Sequence, residues 1–213
     1  MRKIKRNIQR QNQKKNGINL RKSALTLGIA VAMSFGLVRT SLAGNEYSNN
    51  LPVFNNISNG SAIYSNGTVF NEGAVNTAAS KTAADASTSL QVNVTGNVAE
   101  LNYNSFNISN PGTPRTVNFN FSDSGQVALN RVTQVGNNYI SKIYGNITQS
   151  GANGAVFLIN PNGILFGAGS QINVDSFLAS TFDDPDAATH LSAPSKHLDL
   201  VRTGTQKGIY IEP

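Results

Sequence analysis

Cysteine is absent from this 213-residue chain. That absence removes disulfides, thiolate catalysis and cysteine-based metal sites together. A domain without such staples is held by its core and its backbone pairing. Charge is sparse as well: 13% of residues are charged against 39% hydrophobic, a balance that suits one domain with a sizeable core. Histidine is almost missing, and both copies, His190 and His197, lie near the C-terminus, so no Ser, His and Asp set is arranged for nucleophilic work. Between Gly44 and Thr181 the acids are only Glu46, Glu72, Asp85, Glu100, Asp123 and Asp175, widely scattered. A β-structured polysaccharide-degrading enzyme needs paired carboxylates, or acids holding calcium beside a basic residue. The sequence therefore argues against an enzyme, and it offers no catalytic, cofactor-binding or metal-ligating set.

The formal net charge of +6 would suggest an acidic partner, but its distribution says otherwise. Ten of the seventeen Lys and Arg fall in residues 1–43, which hold no acid; beyond Ala43 seven basic and eleven acidic side chains leave a net of −4. The basic character belongs to the leader, and no nucleic-acid partner is expected. The leader itself has the form of an export signal: a long basic stretch to Lys22, then apolar Ser23 to Val38, shorter than the ~20 residues of a transmembrane helix. Ser41-Leu42-Ala43 fits the small-x-small rule, which puts cleavage between Ala43 and Gly44. No later apolar run is long enough to span a bilayer, so the mature product reads as exported and soluble.

From Gly44 to about Thr181 the chain is rich in Asn, Gly, Ser, Thr and Val, with short apolar bursts of period two separated by Asn-Gly and similar dipeptides. This is a strand-and-turn pattern. The clearest bursts are Leu90 to Val94, Thr116 to Phe121, Ile143 with Ile147, Ala155 to Ile159, Ile164 to Phe166 and Gln171 to Val174. Thr77 to Ser89 suits a short helix or an irregular loop equally well. An all-β chain of this kind is a sandwich, a barrel or a β-helix, and the recurrence of bursts with Asn and Gly between them favours stacked coils with amides at the corners. Asn55 to Gly73 is the candidate cap for the first coil. After Phe182 the alternation stops, and residues 183–213 read as an acidic loop and a poorly ordered tail. Asp183, Asp184 and Asp186 lack the spacing of an ordered cation loop and are expected to be solvated, as are both histidines.

One stretch joins two apolar runs through residues that disfavour regular structure: "FLINPNGILFG", from Phe157 to Gly167. Pro161 presets one backbone angle, and Asn162 and Gly163 tolerate the positive φ of a tight reversal. The longer segment "AVFLINPNGILFGAGSQINVDSFLAST" resembles the most recognisable part of the N-terminal secretion domain of filamentous-haemagglutinin-like exoproteins, the two-partner-secretion or haemagglutination activity domain. Upstream, "YNSFNI", with Tyr103, Ser105, Phe106 and Asn107, is similar to that family's aromatic-x-Ser-Phe-Asn-Ile segment, and "VALNRVTQVGNNYISKIYGNITQSG" resembles the stretch between them. The resemblance covers residues 45–182 in the family's order.

The resemblance implies a right-handed parallel β-helix with an N-terminal cap over residues 44–182. It also implies export through the Sec translocon, passage across the periplasm in unfolded form, and recognition by a dedicated outer-membrane β-barrel transporter of Gram-negative bacteria, ending at the cell surface or in the medium. Asn160, Pro161, Asn162, Gly163 and Ile164 are the matching positions for secretion, through the shape of the corner or through contact with the transporter. For Tyr103 and Phe106 core packing is the expected role. Two departures stand out: Asn110-Pro111-Gly112 does not supply the second Asn-Pro-Asn-Leu motif of part of the family, and the chain stops at Pro213, which reads as a truncation of a longer exoprotein with an adhesin- or haemagglutinin-type passenger. The alternative is a free-standing carbohydrate-binding adhesin that meets a host-cell or glycan surface through Asn-rich corners and exposed Tyr139 and Tyr144.

Overall fold

The computed structural model describes residues 51–110, 112–136, 139–203 and 207–213, together with the backbone of residues 29–31. The leader's cleavage site at Ala43 and Gly44 lies outside the described residues. The strands in chain order are β1 Ile29–Val31, β2 Val53–Ser58, β3 Gly60–Tyr64, β4 Val69–Phe70, β5 Gly73–Ala74, β6 Ser89–Val94, β7 Val98–Ser105, β8 Thr116–Phe121 and β9 Gln126–Val132. There follow β10 Ser141–Ile143, β11 Asn146–Gly151, β12 Gly154–Ile159, β13 Ile164–Phe166, β14 Gln171–Asn173, β15 Ser176–Ser180 and β16 Ile209–Ile211. Two helices, Thr77–Ala86 and Ala187–Ser192, complete the described elements.

The strands form three sheets in which the pairing is parallel except at one end. The first sheet runs β1-β15-β12-β9-β7 and then β2 and β5; the second runs β14-β11-β8-β6 and then β3 and β4; the third is β10-β13-β16. Successive segments visit the third, second and first sheets in turn, as β10-β11-β12 and then β13-β14-β15, each pairing with its equivalent one coil earlier. The result is a β structure of repeating parallel sheets, as in a solenoid.

Period-two sequence decides which side chains face inward. In the second sheet Leu90, Val117, Ile147 and Ile172 stand in one column through the register of four strands, and the first three are fully buried. The alternate positions carry amides and hydroxyls on the opposite face. There Asn93 Nδ2 donates to Ser61 Oγ (3.1 Å), Asn120 Nδ2 to Asn93 Oδ1 (3.1 Å) and Ser150 Oγ to Asn120 Oδ1 (3.2 Å), with Asn118 bonded to Ser150 and Thr148 beside them. The amide ladder expected at the corners thus runs along the outer face of a sheet, because alternation within strands such as "TVNFNF" projects each polar side chain outward beside its counterpart in the next coil.

The antiparallel strands β2 to β5 lie at the start of the stack, where the candidate cap was expected. The ambiguous stretch after them is a helix. Asn76 caps it by accepting from the Ala79 N–H at 3.1 Å, and its small inward residues Ser80, Ala83 and Ala84 are buried. Ser80 Oγ accepts the backbone N–H of Phe54 at 2.8 Å, tying the helix to the first sheet.

The tail differs from expectation. The helix Ala187–Ser192 and the strand β16 follow Phe182, and β16 extends the third sheet in parallel with β13. The physical reason lies in the first sheet, whose outer face is also apolar. Val98, Val127, Leu129 and Ile159 form a second cluster there, covered by Ala187 and Leu191 with Leu198 alongside. Arg131 fastens this cover: its guanidinium bonds Glu100 at 2.6 Å and Asp183 at 3.0 Å, and donates to the Asp184 carbonyl at 2.6 Å.

Candidate functional site

The corner between β12 and β13 is a β-turn in which Gly163 N–H donates to the Asn160 carbonyl at 3.0 Å. Asn, Pro and Gly at its first, second and fourth positions suit a type I turn. Gly163 has φ +112°, whereas Asn59 alone among the described non-glycine residues has a positive φ. The expectation of a positive φ at Asn162 is corrected accordingly: that residue serves through its side chain. A Cβ on Gly163 would stand 2.9 Å from Lys207 Cβ and 3.3 Å from the Gly208 carbonyl oxygen, so space and backbone angle both require glycine.

Both asparagine amides turn into the protein. Asn160 is fully buried and Asn162 is 7% exposed. Asn160 Nδ2 donates to the Tyr139 carbonyl (2.8 Å) and to Ser141 Oγ (2.9 Å), while its Oδ1 accepts from Asn162 N (3.0 Å) and Asn162 Nδ2 (2.8 Å). An amide offers two donors and two lone pairs, so the capacity of Asn160 is filled. Asn162 Nδ2 also donates to the Gln134 carbonyl at 2.7 Å, and its Oδ1 accepts from Gly136 N–H at 2.8 Å. The two side chains act as a section of backbone, satisfying polar groups of Gln134, Gly136, Tyr139 and Ser141. Ile164, the last residue of the motif, is buried at the head of β13 and pairs with Ser141 and Ile209.

The aromatic segment is built the same way. Tyr103 and Phe106 are core side chains: Tyr103 is fully buried, packs on Phe54 with centroids 4.5 Å apart, and meets Phe106 edge-on at 5.0 Å. Burial pushes the Tyr103 phenol well above its ordinary pKa, which keeps it a neutral donor to Asn130 Oδ1 at 2.8 Å. Ser105 ends β7 opposite Val53. Asn107 Oδ1 accepts the Lys142 N–H at 2.9 Å, again replacing a backbone partner.

The two segments, more than fifty residues apart in sequence, meet through the stretch between them. Gln134 offers its carbonyl to Asn162 and donates from Nε2 to Asn104 Oδ1 at 2.8 Å. Ser141 and Lys142 are adjacent, one bonded to Asn160 and the other to Asn107. Gln134, Gly136 and Ser141 were not singled out from sequence, and Tyr139 was read only for its ring, not for the carbonyl that meets Asn160. Three of these contacts use the backbone, which leaves no side-chain signature; the resemblance of "VTQVGNNYISK" to the family's linking stretch was the one available signal. A cavity of about 550 Å³ opens beside the corner, lined by Arg131, Gln134, Pro161, Asn162 and Lys207 among others.

Other expectations need correction. Tyr139 and Tyr144 are not exposed: both are half-buried, Tyr139 against the main core and Tyr144 with its hydroxyl 3.5 Å from Glu212 Oε1. Asp184 is not solvated but 1% exposed. Its carboxylate accepts from the N–H groups of Asp186 (3.0 Å) and Asp199 (2.9 Å) and contacts His190 Nδ1 at 2.8 Å. Burial alone would raise its pKa, but these hydrogen bonds outweigh it and hold the carboxyl below its usual range. His190 is correspondingly partnered rather than free.

The family model for the TPS secretion domain matches residues 61–205. Two curated relatives, both named Heme/hemopexin-binding protein and both from Haemophilus influenzae, are 42% identical over 84 residues and 41% identical over 85. The aligned stretches cover 39% and 40% of this chain and 8% of each relative, so the similarity concerns a small part of those proteins. TPS secretion domains are not catalytic. A match over residues 61–205, which takes in the aromatic segment, the linking stretch and the buried asparagine corner, means that this chain belongs to the TPS secretion domain family.

Proposed function

We propose that the chain is the secretion domain of a two-partner-secretion exoprotein, folded as a capped, right-handed parallel β-helix. In this reading the leader directs Sec export and is cleaved between Ala43 and Gly44. The chain then crosses the periplasm unfolded and is taken by a dedicated outer-membrane β-barrel transporter to the cell surface or medium. Folding outside opposes back-sliding, because buried apolar surface stabilises by ~25 cal/mol per Å². A passenger of adhesin or haemagglutinin type following the domain belongs to the same proposal.

The observation that carries the mechanism is the saturation of Asn160. With both donors and both acceptors engaged inside the protein, its amide offers a transporter nothing once the corner has closed. The Asn160-Pro161-Asn162-Gly163-Ile164 motif therefore acts in two stages: its amides are open to recognition only in the unfolded chain, and closing them completes the coil. Export of tagged 1–213 into the medium, with and without a co-expressed partner transporter, tests this. Transporter-dependent release is expected from the unaltered chain. Asn160→Ala is expected to slow extracellular folding, and a refolding assay on the same protein separates that defect from lost recognition. Release that ignores the transporter would overturn the proposal.

A further inference from the structure

We propose that His190, His197 and Asp199 form a binding site for a borderline divalent metal ion such as Zn²⁺ on the tail that covers the first sheet. Nitrogen or oxygen donors of these three residues all lie within 4.8 Å of one another. The two imidazoles are stacked, with centroids 4.7 Å apart and an interplanar angle of 22°, and His197 Nε2 is 3.9 Å from Asp199 Oδ2.

What distinguishes this group from a chance surface cluster is the support beneath it. Asp184, 1% exposed, receives His190 Nδ1 at 2.8 Å and the Asp199 backbone N–H at 2.9 Å on the same carboxylate oxygen. A buried carboxylate holding Nδ1 fixes the imidazole plane and its tautomer and leaves Nε2 as the ligating atom, the arrangement that raises ligand basicity in histidine metal sites. The same carboxylate fixes the backbone that carries the third donor. His197 and Asp199 have side chains 46% and 68% exposed, so they are free to turn toward an ion while His190 stays put. Tetrahedral coordination with bonds of about 2.0–2.1 Å brings donor atoms to about 3.3 Å of one another, a closure within reach of side-chain rotation.

Two imidazoles with one carboxylate select Zn²⁺, Ni²⁺, Co²⁺ or Cu²⁺ over the hard cations Mg²⁺ and Ca²⁺, which prefer all-oxygen sets. Three protein ligands leave one position for water or a donor from another molecule. The ion would join the helix Ala187–Ser192 to the segment carrying Leu198, and both cover the apolar outer face of the first sheet. Binding to the folded chain alone raises its stability by mass action.

The test uses the full chain carrying a histidine-free affinity tag, stripped with EDTA and titrated calorimetrically with Zn²⁺, with Co²⁺ absorption as an independent reading of the ligand field. The expected result is one Zn²⁺ per chain, a rise in melting temperature with Zn²⁺, and Co²⁺ bands of a four-coordinate site. His197→Ala and Asp199→Asn change exposed side chains and leave Asp184 and His190 in place; each is expected to weaken Zn²⁺ binding by at least about tenfold with an unchanged circular dichroism spectrum. Asp184→Asn is expected to weaken it by about 10- to 100-fold through loss of support. Absence of stoichiometric binding, or binding in His197→Ala and Asp199→Asn as strong as in the unaltered chain, would overturn the site.

Discussion

Replacing Asn160 by alanine is the sharpest probe of the corner. The substitution leaves the Tyr139 carbonyl, Ser141 Oγ and Asn162 N–H without their present partner. Each buried group left unsatisfied costs about 1–3 kcal/mol. Tyr139 is only half-buried and Asn162 Nδ2 keeps Gln134, which places the three groups toward the lower end of that range, a sum of about 3–5 kcal/mol, at the high end of single substitutions. That is a large part of the ~5–15 kcal/mol that holds a domain together. Equilibrium unfolding in urea measures it, and the buried Tyr64 and Tyr103 supply an intrinsic probe in a chain without tryptophan. With a slope of about 2–3 kcal/mol/M the midpoint is expected to fall by about 1–2 M at unchanged slope. Asn160→Asp separates hydrogen bonding from charge: its carboxylate keeps both acceptor bonds but turns an oxygen toward the Tyr139 carbonyl. The folded state then holds a proton more tightly than the unfolded chain, so this variant gains on the unaltered protein as pH falls. A midpoint shift below about 0.3 M for Asn160→Ala would refute the claim that the amide holds the corner.

Three further outcomes follow from the same geometry. Gly163→Ala places a Cβ 2.9 Å from Lys207 Cβ at φ +112° and is expected to cost about 1–3 kcal/mol in urea unfolding; a neutral result would refute both the positive φ and the close approach of Lys207 at this corner. Tyr103→Phe deletes the hydroxyl bonded to buried Asn130 at 2.8 Å and is expected to cost about 1–2 kcal/mol with no change in secondary structure by circular dichroism. Arg131→Ala removes the contacts to Glu100, Asp183 and the Asp184 carbonyl, so limited proteolysis is expected to cut within residues 183–203 well before the sheets. Equal rates of cleavage in the two proteins would show that apolar cover alone holds the tail.

Local alternation was legible in the sequence wherever a strand pairs with its own equivalent. Thr116–Phe121 and Ile164–Phe166 are strands over the range read from their periodicity, because their inward side chains stand opposite apolar ones on a neighbouring strand: Val117, Phe119 and Phe121 opposite Leu90, Val92 and Val94, and Ile164 and Phe166 opposite Ile209 and Ile211. The tail was illegible for the opposite reason. "DDPDAATHLSAPSKHLDL" has no period of its own, and its order comes from Val98, Val127, Leu129 and Ile159 on a sheet formed long before it in the chain. Asp184 looked solvated because the groups that bury it converge only in three dimensions: N–H groups two and fifteen residues further on and an imidazole six residues on. At the corner the motif was visible and its chemistry was half visible. Pro161 and Gly163 announced a turn, but the inward amides depend on where Gln134, Gly136, Tyr139 and Ser141 lie.

Asparagine shows why composition alone misleads here. In the ladder of the second sheet, Asn93 and Asn120 share their chain of bonds with Ser61 and Ser150, so a hydroxyl does the work of an amide and half-exposed neighbours can fall back on water. At the corner Asn160 spends two donors and two acceptors in one dry place. A serine has one donor, too short a reach and no planar fork, and an aspartate lacks the donors altogether. Asparagine is therefore replaceable where it repeats and irreplaceable where it stands in the turn. A secretion defect traced to Asn160 has to be read first as a failure to fold and only then, once folding is shown intact, as a failure to be recognised.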